Sequence, residues 1–215
     1  MFSAMLTARL QNRMSRTPNE EHDLELVRTL VFAPYGLTLN RFDHAETVRG
    51  RTPDFRVLLD KEIVAYCEVK SPRDDWLDEQ IDTAMPGQIV GGLRNDPTFN
   101  RLARHITRAA SQFFAVNSDH LIPNILIFVN HAENSDYSDL RETLTGNFFT
   151  EDGRRYPTMT HISEGWIREA KLQIDIFSWI DAKTKRVQGH VINEASAHVD
   201  VIRALLNIDT SRIEH

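Results

Sequence analysis

Asp54, Glu68 and Lys70 are the residues of this 215-residue chain whose types and spacing best suit chemistry on a charged oxygen centre. The triplet Asp60-Lys61-Glu62 separates two strand-like runs, Asp54 to Leu59 and Ile63 to Lys70, so a β-hairpin is expected. If the triplet is a three-residue loop, Leu59 lies opposite Ile63, and counting back sets Asp54 directly opposite Glu68. That register gathers Phe55, Val57, Leu59, Ile63, Ala65 and Cys67 on one apolar face. Asp54, Arg56, Leu58, Val64, Tyr66, Glu68 and Lys70 share the other, and a slip of one residue would mix the two sets. Directly opposed side chains have Cβ atoms roughly 4.5–5.5 Å apart, so the two acids would repel each other. A divalent cation that prefers hard oxygen ligands, such as Mg²⁺, removes that repulsion. Lys70 projects from the same face as Glu68 and can hydrogen-bond a metal-bound water or a phosphate. The alternative is an exposed, salt-bridged hairpin.

Such a hairpin needs flanking elements, and apolar periodicity supplies them. Thr17-Pro18-Asn19-Glu20 carries helix-start signals, with Thr17 as cap, Pro18 in the first turn and Glu20 completing a capping box. Leu24, Val27, Leu30 and Val31 would be the buried face, and Pro34-Tyr35-Gly36 the end. A short segment, Leu37 to Phe42, leads to the hairpin. Residues 71–97 mix charges with Pro86, Gly87, Gly91 and Gly92 and lack periodicity, as a flap or insertion would. Helical spacing returns from Arg101 to Phe114, with Leu102, Ile106, Ala109, Ala110 and Phe113 facing inward. Ile125 to Val129 reads as a buried strand and Leu140 to Leu144 as a short helix. Ile174 to Ile180 and Arg186 to Ile192 read as a second strand pair, and Ala195 to Leu206 as a closing helix. With no internal repeat, residues 1–215 are expected to form one α/β domain.

Pro53-Asp54, thirteen intervening residues and Glu68-Val69-Lys70, on a hairpin between two helices, resemble the signature of the PD-(D/E)XK nuclease superfamily. The resemblance covers about Thr17 to Val129. It implies a restriction-endonuclease-like mixed β-sheet flanked by α-helices. It also implies Mg²⁺, with Mn²⁺ as a substitute, bound by Asp54, Glu68 and the backbone carbonyl of Val69, with Lys70 orienting the attacking water. The activity implied is metal-dependent hydrolysis of phosphodiester bonds, in DNA rather than RNA. A homodimer would suit cleavage of both strands of a duplex. The alternative from another class is a non-catalytic module that keeps the fold and binds nucleic acid or protein through the hairpin face.

The resemblance also implies supporting residues, since several members of the superfamily add an acid from the first helix and border the site with polar residues of the later one. Glu21 and Glu25, four apart on the first helix, are candidates for a third metal-approaching acid, or simply a solvated face. Arg101, His105, Arg108 and Gln112 form a polar stripe opposite the apolar one, suited to substrate phosphate, with Gln112 the preferred site-facing member. Arg56 shares the acids' face and could hold phosphate or form an ion pair. Arg49 and Arg51 lie close to it in sequence, and Trp76 in the 71–97 segment could stack on a base or anchor that loop.

Composition sets limits. A net charge of −6 argues against a protein that coats nucleic acid through its overall field. Cys67 is the one cysteine, which excludes an intrachain disulfide or a multi-cysteine zinc site and fits a reducing, cytoplasmic setting. No secretory leader, membrane span or membrane partner is expected. HExxH, GxSxG, Walker and GxGxxG motifs are absent.

Overall fold

The structure, a computed structural model, describes residues 20–43, 46, 51–72, 83–85, 87–89, 98–132 and 135–208. Its centre is a mixed six-stranded sheet in the order β1-β2-β3-β4-β7-β8, flanked by helices, so the chain is α/β. The strands are β1 (Thr38–Arg41), β2 (Phe55–Leu59), β3 (Glu62–Lys70), β4 (Asn124–Asn130), β7 (Ile176–Asp181) and β8 (Arg186–Ile192). β3, β4 and β7 run parallel, while β1–β2, β2–β3 and β7–β8 pair antiparallel. A separate small hairpin joins β5 (Asn147–Phe149) to β6 (Arg155–Pro157).

The two faces of the sheet build two cores. Every residue of β4 is buried, as a strand covered on both sides must be. Its Ile125, Ile127 and Val129 join one core with Phe55, Val57, Ala65 and Cys67. That core is closed by Leu24, Val27 and Val31 from the first helical segment and by Ile202 and Leu206 from the last, α5 (Val199–Leu206). Leu126 and Phe128 point the other way, toward Leu102, Ile106, Ala109, Ala110 and Phe113 of α2 (Thr98–Val116). α3 (Tyr137–Thr145) and α4 (Arg168–Leu172) complete that layer. Among the described residues no helix is long and apolar enough to cross a membrane.

The first helix, α1 (Glu20–Val27), continues through a π-helical turn, Arg28–Phe32, and a 3₁₀ turn, Ala33–Tyr35. Gly36 stops it in the left-handed region at φ 71°, so the expected Pro-Tyr-Gly ending holds. The proposed cap Thr17 and Pro18 lie outside the described residues, as do Arg49, Trp76, Pro86, Gly91, Gly92 and most of 71–97. α5 starts at Val199 rather than near Ala195, because Asn193 and Ser196 are spent on turns and on Asp175. The segment from Asn147 to Leu172, with its hairpin, a π-helical turn over His161–Trp166 and α4, was not anticipated.

The hairpin corrects one expectation and keeps another. The loop is a two-residue turn, Asp60-Lys61, with both residues at positive φ (50° and 74°), since Leu59 pairs with Glu62. Two successive positive-φ residues make a turn whose twist matches that of the flanking strands. Beyond it the register shifts between Val57 and Leu58, leaving Val64 as an extra residue in β3, and from there Val57↔Ala65 and Phe55↔Cys67 follow the expected pairing. Ile63, now opposite Leu58, therefore leaves the apolar face and stands 41% exposed, and Leu59 at the end of β2 is 38% exposed. Phe55, Val57, Ala65 and Cys67 stay in the core.

Candidate metal-binding acid pair

Beyond Phe55↔Cys67 the two strands remain linked through acidic side chains. The Asp54 N–H donates to the Glu68 carboxylate (Oε2, 2.8 Å), and the Val69 N–H donates to the Asp54 carboxylate (Oδ2, 2.8 Å). This reciprocal pair extends the β2–β3 contact by one step and fixes both acids relative to the backbone. It also brings Asp54 and Glu68 together, as the counted register requires. Val69 contributes its N–H here.

Lys70 donates to Glu68 Oε1 and, over 3.1 Å, to Oε1 of Gln112 on α2. The Gln112 amide NH₂ donates to the Thr52 carbonyl (2.9 Å). A lysine ammonium only donates and a carbonyl only accepts, so these partners allow one orientation of the Gln112 amide. Gln112 thus ties α2, the approach to β2 and the end of β3 into one unit.

Burial makes this arrangement electrostatically demanding. Glu68 is 1% exposed, and desolvation, with repulsion from Asp54 second, raises its carboxyl to about 7 despite Lys70 and Gln112. The Asp54 carboxyl is also raised, chiefly by burial, and the charge of Glu20 adds to the effect. Two carboxylates against one ammonium leave an excess negative charge. The donor set, two carboxylate groups held together in a desolvated setting, fits a hard divalent cation, which would favour both ionised forms.

The remaining candidates are distributed unevenly. Glu25 turns back onto its own helix, bonding Arg28 (2.6 Å) and Thr29 (3.1 Å). Glu21 is exposed. Glu20, assigned to capping from sequence, is the first-turn acid whose charge Asp54 feels, and it pairs with Arg41 (3.0 Å). Arg56 is engaged with Glu46 and lies over the Phe42 ring at 3.9 Å, so it forms an ion pair beside the site. Arg51 is exposed.

On α2, Arg101 bonds Thr98 (3.2 Å) and Arg108 is exposed. His105 sits below them, its ring edge-on to Phe128 at 6.4 Å. Burial first, then the charges of Lys70, Arg108, Arg104 and Arg101, push its imidazole down to about 4. His105 is therefore neutral near pH 7, and of these cations Lys70 is the one bonded to the acid pair among the contacts described. Arg104 belongs to the cations around His105 though it lies off the expected stripe.

Sequence reasoning missed Asp23. It is buried in α1, accepts from the Ser71 hydroxyl (2.5 Å) and pairs with His131 (2.8 Å) just past β4. The acid sits between serine and histidine, so no imidazole can relay a proton from that hydroxyl. A helical-face aspartate gives no periodic signal that would mark it out. Cys67 is buried, and burial with the two acids pushes its thiol far up, which removes it as a nucleophile. The chain matches no family model, no curated protein and no solved structure.

Proposed function

We propose that this chain is a restriction-endonuclease-like, metal-dependent phosphodiesterase acting on nucleic acid, with DNA the expected substrate. The observation that carries the reading is the reciprocal Asp54–Glu68 pair, with Lys70 joined to Glu68. Asp54, Glu68 and the Val69 carbonyl would hold Mg²⁺, or Mn²⁺ in its place, and Glu20 is the acid to test as a further contributor. When bound, such a cation supplies Lewis-acid stabilisation of charge developing on the phosphoryl oxygens. Lys70 orients the attacking water, using a donor not spent on Glu68 or Gln112. Gln112 positions that ammonium. Arg101, Arg104 and Arg108 give phosphate a favourable approach along α2. Action on both strands of a duplex would call for a symmetric pair of chains, one site per strand.

Circular DNA, linear DNA and RNA, each incubated with Mg²⁺, Mn²⁺ or EDTA, test the reading beside Lys70→Ala. Cleavage requiring metal and reduced roughly 10²- to 10⁴-fold in the variant is expected. Binding that persists in EDTA, with no cleavage in either metal, would instead identify a non-catalytic module.

A further inference from the structure

We propose that His120, Asp175 and His198 form a second metal site, selective for a zinc-class cation over Mg²⁺. One potential ligand atom from each of the three lies within 4.8 Å of the others, the one such cluster of three among the described residues. They come from three separate connections: the turn after α2, the residue before β7, and the turn before α5. The proposal is independent of the function assigned to Asp54 and Glu68.

Each candidate ligand is already oriented. Asp175 is fully buried, and its Oδ2 accepts from the Asn124 N–H (2.6 Å) while its Oδ1 accepts from the Ser196 hydroxyl. His198 Nε2 lies 2.8 Å from the His120 carbonyl, which can only accept, so that nitrogen carries the proton and Nδ1 keeps its lone pair. A ring N–H held by a carbonyl is the usual support of a metal-binding imidazole. His120 Nε2 stands 2.8 Å from Asp175 Oδ2, where a proton now bridges the two. A cation would replace that proton and release it to solvent.

The geometry asks for a small adjustment. Zn–N and Zn–O bonds of roughly 2.0–2.2 Å on a tetrahedral ion set neighbouring ligand atoms roughly 3.4 Å apart. The His120–Asp175 separation must therefore widen by about half an ångström, and the His198 nitrogen must come to the same spacing from both. Two imidazoles and one carboxylate, with a fourth position for water, suit Zn²⁺ or Co²⁺, whereas Mg²⁺ requires oxygen ligands. Bound metal would fasten three connections at the start of β4 and β7.

The test uses the full chain carrying D54N and E68Q, so that the acid pair cannot contribute. Equilibrium dialysis is expected to give one equivalent of Zn²⁺, undisplaced by excess Mg²⁺, with one proton released and a raised thermal midpoint. Adding His198→Ala or His120→Gln should weaken binding by more than the roughly 10–100-fold that loss of an outer-shell partner costs. Should one histidine variant fail to fold, the other decides, and the visible spectrum of Co²⁺ in the parent reports the nitrogen ligands directly. No bound equivalent in the parent, or undiminished affinity in a folded variant, overturns the proposal.

Discussion

Two buried carboxylate centres in this molecule are neutralised in opposite ways. Asp175 draws its donors from the strand beside it and from two turns: the Asn124 N–H, the Ser196 hydroxyl and His120. Asp54 and Glu68 draw theirs mainly from each other's strands, and the one formal cation bonded to either of them among the contacts described is Lys70. In the first centre converging dipoles make a buried charge tolerable in the metal-free chain. In the second, like charges are held together by the backbone while burial works against both. A carboxylate can thus be an anchor or a source of tension, depending on whether its neighbours are donors or another acid.

The comparison breaks if the two centres respond alike. The largest expected effect is on stability: Asp175→Ala strands an N–H, a hydroxyl and an imidazole, and should cost about 3–5 kcal/mol in metal-free denaturant titrations. A loss below about 1 kcal/mol would remove its standing as an anchor.

Next comes pH. Glu68 titrates near 4.5 in an ordinary setting and near 7 here, so between those values the folded chain binds the extra proton. Its contribution is present at low pH and is lost as pH rises through 7, up to about 3 kcal/mol. His105 and His190, both pushed down to about 4 by burial first, run the opposite way and lose stability as pH falls below 6.5. The Glu68 part is therefore read as the difference between the parent and Glu68→Gln across pH 4.5–7 without metal. A flat difference would contradict it. By the same linkage Mg²⁺ affinity should weaken below pH 7, where the metal must displace a proton.

Gln112→Ala sharpens the comparison by loosening Lys70 while leaving both acids. The expected loss is roughly 10- to 100-fold in kcat of the proposed phosphodiesterase, with KM little changed. A change confined to KM would make Gln112 a substrate contact instead. The smallest effect is Asp54→Asn, which keeps an acceptor for the Val69 N–H and removes one opposed charge. It should stabilise the metal-free chain by up to about 1 kcal/mol and weaken Mg²⁺ binding, both measurable by thermal melts. Destabilisation without metal would mean the carboxylates do not oppose each other.

The acid pair was legible because strand alternation is strict: with Phe55, Val57, Ala65 and Cys67 on the core face, Asp54 and Glu68 had to share the other, and counting from the turn set them opposite. The turn was misread by one residue, since Asp60-Lys61 lacks the glycine that usually announces two positive-φ positions. The extra residue Val64 offset that error, so the register at the acids survived while the expected pairing of Leu59 with Ile63 did not. The helices and buried strands were read from periodicity. The hairpin at 147–157 was not, because three-residue strands are too short to show any alternation. Contacts such as Asp23–His131 or His120–Asp175–His198 join positions far apart in the chain, and no local pattern encodes them.

The wholly enclosed strand β4 bears on how the chain reaches this arrangement. Its parallel neighbours, β3 and β7, lie far from it in sequence on either side, so long loops must close before it gains either ladder. Such non-local pairing slows folding, and the collapsed chain would wait with apolar edges uncovered until both neighbours dock. Once docked, the amides of Ile125 to Val129 belong to the last segment to open, and their exchange with deuterated solvent should report global unfolding.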